Sequence, residues 1–415
     1  MQLIDSSGDA TSRRRFLAGA ALGAAGLAVS AASGSVEATA AAEPAGSSSE
    51  PFYGAHQAGI ATAAQEHLVF ASFDLIKPLR HEVRDLLSRW SADAARMAAG
   101  ESIGPTNVAT SPPADTGEAL GLSAARLTIT VGFGPKFFDR LQLRAKRPAA
   151  LVDLPPFPGD QLDPVRTGGD LCVQACADDP QVAFHAIRNL ARVAEGTAMI
   201  RWMQHGFGRT PSTSQPDATP RNLMGFKDGT RDISPDNLGD MRRYVWVGDD
   251  TDQSWMRGGS YLVARRIRML IEKWDEEDLS EQQRVFGRAK DSGAPLGGTN
   301  EFDAPNLTAT GPDGALVIDA AAHIRLAAPS SNGGMKILRR GYGYADSNDR
   351  IGQIDAGLFF VAFQNNPHKQ FVRIQQRLAA NDALSEYIRH TGSAIFALPP
   401  GLAGSDDWYG RALLG

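Results

Sequence analysis

The 415-residue chain carries a formal net charge of −5, with 21% charged and 42% hydrophobic residues. That balance holds no basic surplus to draw in a nucleic acid, and the length suits two domains or one large one. The two cysteines, Cys172 and Cys176, have no His or further Cys nearby, so they make a poor metal site and read as small buried hydrophobes; a disulfide between them stays open if the compartment is oxidising.

The chain begins with a polar stretch, then Ser12, Arg13, Arg14, Arg15, Phe16 and Leu17, then a mildly apolar Ala/Gly run and the small residues Ala38, Thr39 and Ala40. This pattern predicts a twin-arginine export signal over residues 1–40, recognised by the twin-arginine translocase and cleaved near Ala40. The apolar run from Phe16 to Ala32 is too short and glycine-rich for a membrane span, so the mature protein is expected in the periplasm or outside the cell, without a membrane segment. Export by this route carries folded cargo, which suits a protein that acquires a cofactor in the cytoplasm. Residues 41–50 are rich in Ser, Ala and Glu and read as a disordered linker.

From Pro51 onward, alternation of apolar and polar residues predicts strands over 67–75, 126–134 and 169–177. Helical spacing predicts helices over 80–100, closed by Gly100, and over 180–196, opened by Pro180 and closed by Gly196. The second half repeats the mixture: strands over 258–270, 333–344 and 356–364, with helices over 280–290 and 367–379. Such mixed order points to an α+β architecture with antiparallel sheets. No Gly-x-Gly-x-x-Gly follows a strand and there is no Walker-type loop, which disfavours nucleotide cofactors.

Two places carry chemistry. In 224–231, MGFKDGTR, the acid Asp228 stands on a Gly-x-x-Asp-Gly loop; glycine permits positive φ and close backbone approach, so the loop can press a carboxylate toward something flat or bulky. An Asp-Gly pair alone is more often a plain turn. Of the eight histidines none forms a chelating pair, and His185, among apolar neighbours of a helix, reads as packing; His56 suits a loop or sheet edge. His323, in VIDAAAHIRLAAPSS, differs: a lone neutral imidazole can hold haem iron from one face and leave the other open to small oxidants.

Taken together, 225–230 (GFKDGT), 323–326 (HIRL) and 337–344 (ILRRGYGY) resemble the signature of the dye-decolourising peroxidases. HQAGI at 56–60, LTITVGFGPKFFD at 127–139, GLFFVAFQNNP at 357–367 and HTGSAIFALPPG at 390–401 extend the resemblance across about residues 51–405, within the exported branch that includes deferrochelatase/peroxidases. The resemblance implies two ferredoxin-like α+β domains with antiparallel sheets, over 51–220 and 221–405, forming a barrel-like unit, with a tail at 406–415. It implies one haem b per chain, held mainly by the carboxyl-terminal domain. On the matching positions His323 would be the proximal iron ligand, Asp228 the distal acid–base residue and Arg339 the distal arginine; Gly229, Leu358 and Phe360 would border the cofactor. Arg339 follows Ile337-Leu338 as the motif requires, and strand alternation turns Arg340 the other way. The implied partners are hydrogen peroxide and small one-electron donors such as dyes and phenols; the reductant and the oligomeric state stay open. Two rivals remain: a haem carrier or iron-release protein, and a cofactor-free hydrolase with Asp228 as base.

Overall fold

The computed structural model describes residues 49–208, 219–348 and 352–415. The export signal expected at 1–40, and all but the last two residues of the linker, lie outside them. At the first of these positions that joins the fold, Glu50 accepts a hydrogen bond from Arg126 at 2.9 Å. No helix among the described residues is long and apolar enough to cross a membrane.

The strands are β1 (His67–Leu75), β2 (Thr128–Phe133), β3 (Leu171–Ala177), β4 (Ala198–Gly206), β5 (Ser260–Met269), β6 (Leu338–Arg339), β7 (Tyr342–Asn348), β8 (Ile354–Gln364) and β9 (Ile388–Leu398). The α-helices are α1 (Arg80–Ala98), α2 (Pro135–Arg140), α3 (Pro180–Val193), α4 (Leu238–Asp240), α5 (Ile271–Asp275), α6 (Leu279–Phe286), α7 (His323–Ala327), α8 (Arg373–Asn381) and α9 (Arg411–Leu414). All the strands join one antiparallel sheet in the order β4-β1-β3-β2-β9-β5-β8-β6, with β7 also against β8.

That order contains the same motif twice. Numbered within its own half, β4-β1-β3-β2 runs 4-1-3-2, and β9-β5-β8 followed by β6 and β7 runs 4-1-3-2 again, which is the ferredoxin-like arrangement. The halves join through a single residue pair between β2 and β9, Phe133 with Ala397. Among the described residues no ladder closes the other side; there the bridge between Phe207 and Gly343 brings the β4 end to β7, with hydrogen bonds of 2.8 and 2.7 Å. The barrel-like expectation therefore holds as two sheets touching at both edges, without full closure.

Local sequence explains the elements. Along α1, Val83, Leu86, Leu87, Trp90, Ala94 and Met97 fall on one buried face, the three-to-four spacing that packs a helix on a sheet. Asp179 caps α3 by accepting from the N–H groups of Gln181 and Val182, and Pro180 supplies a first residue that has no N–H to satisfy. Both helices cover the outer face of the first sheet, with Phe73, Val131, Phe133 and Ile187 in the same core. Between the two sheets Phe70, Trp202, Leu262, Phe359 and Phe396 form a second core.

Four expectations change. The predicted strand over 333–344 is two pieces, because at Arg340 and Gly341 the chain turns: Arg340 buries its guanidinium against the Thr62 carbonyl and Gln65, and Gly341 lets Leu358 approach closely. The helix expected over 367–379 starts as a wide turn at His368–Val372 before α8. Strands β4 and β9 add the fourth member of each half. His323, in a stretch for which no element is predicted, opens the short helix α7. Cys172 and Cys176 lie buried and unbridged on β3, four residues and so about 13 Å apart along the strand, out of disulfide reach.

Candidate active site

The loop carrying Asp228 is fixed before any cofactor is considered. The Asn222 side chain accepts the N–H groups of Met224 and Phe226 at 3.1 and 3.2 Å, closing a turn in which Gly225 has φ +85°. The Asp228 N–H donates to the Pro220 carbonyl at 2.8 Å. Beyond it Gly229, at φ +120°, adopts a backbone conformation that a side chain would resist. Thr230 then donates to Glu301 at 2.9 Å, and Lys227 pairs with the same carboxylate, so a second segment grips the loop on both sides of Asp228.

Asp228 meets Arg339 directly, Arg339 Nη1 donating to Asp228 Oδ1 at 2.9 Å. Arg339 ends β6 opposite Ala362 of β8, which sets its side chain on the outer face of the second sheet. Leu358 and Phe360 share that face, being even-numbered steps along β8 from Ala362. Leu358 packs against the cluster that includes Met224 and Phe226 of the Asp228 loop, whereas Phe360 leans on Phe371 with ring centroids 6.0 Å apart. The Arg340 side chain points inward between the sheets.

His323 approaches from α7. Its Nδ1 lies 2.6 Å from Asp382 Oδ2, and Asp382 is buried and itself caps a short turn by accepting the Leu384 N–H at 2.9 Å. Engaging the ring nitrogen nearest the backbone leaves Nε2 at the outer tip of the imidazole. Gly287 ends α6 at φ +77°, and a Cβ there would stand 2.3 Å from Ile324; this close approach brings Phe286 edge-on to His323, with centroids 6.3 Å apart.

Electrostatics tie the three groups to one space. Burial pulls the His323 pKa down, but the Asp382 charge and hydrogen bond outweigh it and raise the net value; Arg339 and Asp228 also act on it, in opposite directions. Burial likewise opposes the Arg339 charge, and Asp232 and Asp228 together more than restore it. His323 and Arg339 lie deep in the fold, yet 33% and 30% of their side chains, and 26% of that of Asp228, stay accessible. Because the charges of Arg339 and Asp228 both act on His323, the three accessible side chains share one neighbourhood. Near it Arg288, buried against the carbonyls of Gly293 and Glu301, has its pKa lowered by burial and by Arg231 and Arg339, which marks a local excess of positive charge.

The chemistry of these residues suits a ring-shaped cofactor with iron and anionic side groups: one imidazole with a free tip, an acid–guanidinium pair whose charges reach it, apolar neighbours and further cations. Among the described residues no three His, Cys, Asp or Glu side chains gather into a metal cluster, and a single-imidazole haem site requires none. Four contributors escaped the sequence reading: Asp382, Asp232, Glu301 and Arg288. Asp382 carries the signature of an ordinary turn cap, which conceals its second bond.

The fold, paired ferredoxin-like sheets, and the single imidazole beside an acid–guanidinium pair suit a haem-peroxidase class of protein. Comparison with known proteins agrees, since the model "Dyp-type peroxidase, N-terminal" matches residues 57–208 and "Dyp-type peroxidase, C-terminal" matches 219–403. This chain belongs to the DyP-type peroxidase family and is a haem peroxidase, an enzyme class that uses hydrogen peroxide and small-molecule electron donors. It is 40% identical over 355 residues to the dye-decolorizing peroxidase of Thermobifida fusca, covering 83% of this chain and 81% of that one. A deferrochelatase of Escherichia coli K12 is 37% identical over 372 residues, covering 88% and 87%. The structure of ferric DtpA from Streptomyces lividans superposes with TM-score 0.83 at 42% identity, covering 90% of this chain and all of that one (100%).

Proposed function

We propose that His323 is the iron ligand of one haem b, that Asp228 moves the proton of hydrogen peroxide, and that Arg339 stabilises the charge this step develops. The observation that carries the reading is the Asp228–Arg339 pair at 2.9 Å, whose two charges both act on His323. Haem, when bound, supplies the iron that holds one peroxide oxygen and takes up two oxidising equivalents. Asp228 accepts the proton from the near oxygen and hands it to the far one, a transfer that requires the carboxylate to be held in place by its loop. Arg339 donates to the oxygen that departs, preorganised help worth roughly 3 kcal/mol per donor. Asp382 fixes the His323 tautomer and strengthens it as a donor to iron. Arg231 and Arg288 suit the cofactor's carboxylates, while Gly229, Leu358 and Phe360 suit its edge and distal face.

Dyes, phenols or similar donors return the electrons singly. Export through the twin-arginine translocase to the periplasm or beyond is part of the same reading, supported by the Arg13-Arg14-Arg15-Phe16-Leu17 run. The test is peroxide-dependent dye oxidation by Asp228→Ala and Arg339→Leu beside wild type, with the visible spectrum recorded for each. Losses of about 10²–10³ in kcat with the haem band retained are expected; wild-type turnover in both variants refutes the assignment.

A second reading, iron release from haem, is favoured by the identity to the deferrochelatase over 88% of this chain. It requires haem binding through His323 but no proton shuttle. Unchanged iron release by Asp228→Ala would support it, and loss in parallel with dye oxidation would remove it.

A further inference from the structure

Asp232 is a carboxylate at the site that the proposed mechanism leaves unused. It stands four residues beyond Asp228 on the same loop, and its two oxygens accept the backbone N–H of Arg339 at 3.0 and 3.2 Å. Its Oδ1 also lies 4.0 Å from Arg339 Nε, while the other end of that guanidinium reaches Asp228. Arg339 is thus held twice by Asp232, through backbone and through charge, and the Asp232 charge, ahead of the charge and hydrogen bond of Asp228, helps keep the guanidinium charged against burial.

The chemistry gives this arrangement a purpose. Asp228 must lose its charge whenever it takes up a proton. With Asp228 as the sole counter-ion, each such event would strand a buried guanidinium unpaired, a costly state. The other groups facing the space would aggravate it: Arg231 and Arg288 are cationic, the Glu301 carboxylate is already shared between Lys227 and Thr230, and His323 is committed to Asp382. With Asp232 present, the trio passes from one net negative charge to neutrality. Without it, the pair would pass from neutrality to a net positive charge.

We propose that Asp232 is a positioning residue, the standing counter-ion that holds Arg339 in place and leaves Asp228 free to be protonated and deprotonated. The inference rests on the reading of Asp228 and Arg339 as the proton-moving pair.

The test uses the haem-loaded enzyme with Asp232→Asn, which preserves shape and a backbone acceptor but removes charge, and Asp232→Glu, which restores charge. Turnover with peroxide gives kcat and KM, and absorption titration with azide gives affinity for an anion in the distal space. Asp232→Asn is expected to lower kcat about tenfold or more with KM little changed, and to tighten azide about tenfold, because an under-compensated guanidinium attracts anions. Asp232→Glu should recover most of both. Wild-type kcat and azide affinity in Asp232→Asn would overturn the proposal. So would a fall in kcat with azide affinity unmoved, since that marks a merely structural role. If Asp232→Asn fails to load haem, Asp232→Glu decides: wild-type behaviour supports a charge requirement, and a folded variant with impaired kcat and altered azide affinity opposes it. Full turnover by Asp228→Ala would instead sink the underlying reading, which keeps the two failures distinct.

Discussion

Each half of the molecule contains a histidine–aspartate pair, and the two are built oppositely. In the first half His185 of α3 uses Nε2, the outer nitrogen, against Asp115 Oδ1 at 2.8 Å, and both side chains are almost wholly buried, at 6% and 1% accessible. In the second half His323 uses Nδ1, the inner nitrogen, against Asp382 at 2.6 Å, and a third of its side chain stays accessible. The lengths barely differ. What separates a packing pair from a ligand-presenting pair is which nitrogen the carboxylate consumes: engaging the tip ties the imidazole off, and engaging the base points the tip outward. The surrounding sheets repeat the contrast. In the first, α1 and α3 pack their buried faces on the outer face of the sheet; in the second, residues 270–337 hold only short helices, one of which carries His323.

The sharpest break between the pairs is in haem retention. His323→Ala should lower the haem-to-protein ratio after gel filtration at least tenfold, because the residue proposed to hold the iron would be gone. His185→Ala should keep full haem and instead lose about 2–4 kcal/mol of stability in denaturant titration, through a cavity and an unpaired buried carboxylate. Equal haem loss in both variants would show that the pairs do not differ as described.

Next in size is the partner of the ligand. Asp382→Asn retains the cap to Leu384 but weakens His323 as a donor, so haem affinity or peroxide turnover should fall about 10–100-fold, the usual cost of losing a carboxylate behind a metal-binding histidine. A competition assay with an apo-haem-binding protein reads the affinity directly. Wild-type affinity and turnover would mean that Asp382 serves only the turn.

The sequence disclosed these features unevenly, for physical reasons. The Asp228 loop is legible because two glycines flank a carboxylate, and both take positive φ. Arg339 could be chosen over Arg340 because it follows Ile337-Leu338 at the position the family resemblance gives; strand alternation turns Arg340 the other way, and Arg340 does turn inward to Thr62 and Gln65. Strand β4 has no such regularity: Met199 and Ile200 are exposed, while Gln204 is buried. The partnerships were out of reach because they are long-range: 111 residues separate Asp228 from Arg339, and 59 separate His323 from Asp382. Asp382 looks like a turn cap and is one. Asp115 lies in a stretch without helix or strand, so nothing local connects it to His185.

The smallest expected effect concerns stability alone and isolates the first pair. Burial by itself would raise the Asp115 pKa, but hydrogen bonds from His185 and from the Ile103 and Gly117 N–H groups outweigh it and hold the carboxyl down at about 2. A carboxyl depressed on folding stabilises the native state once it is ionised in both states. The contribution is therefore complete above about pH 4, where the unfolded carboxyl has also lost its proton, and drains away as pH falls through the folded value near 2. A displacement of roughly two pH units corresponds to about 2 kcal/mol. Asp115→Asn should accordingly lower the unfolding free energy of the full chain by about that amount at pH 7, with the gap to wild type shrinking steadily on acidification below pH 4. Haem content and peroxide turnover at pH 7 should match wild type. A gap that stays constant down to pH 3 would assign the stabilisation to shape rather than to the ionised carboxylate, and would leave only the choice of ring nitrogen to separate this pair from its counterpart.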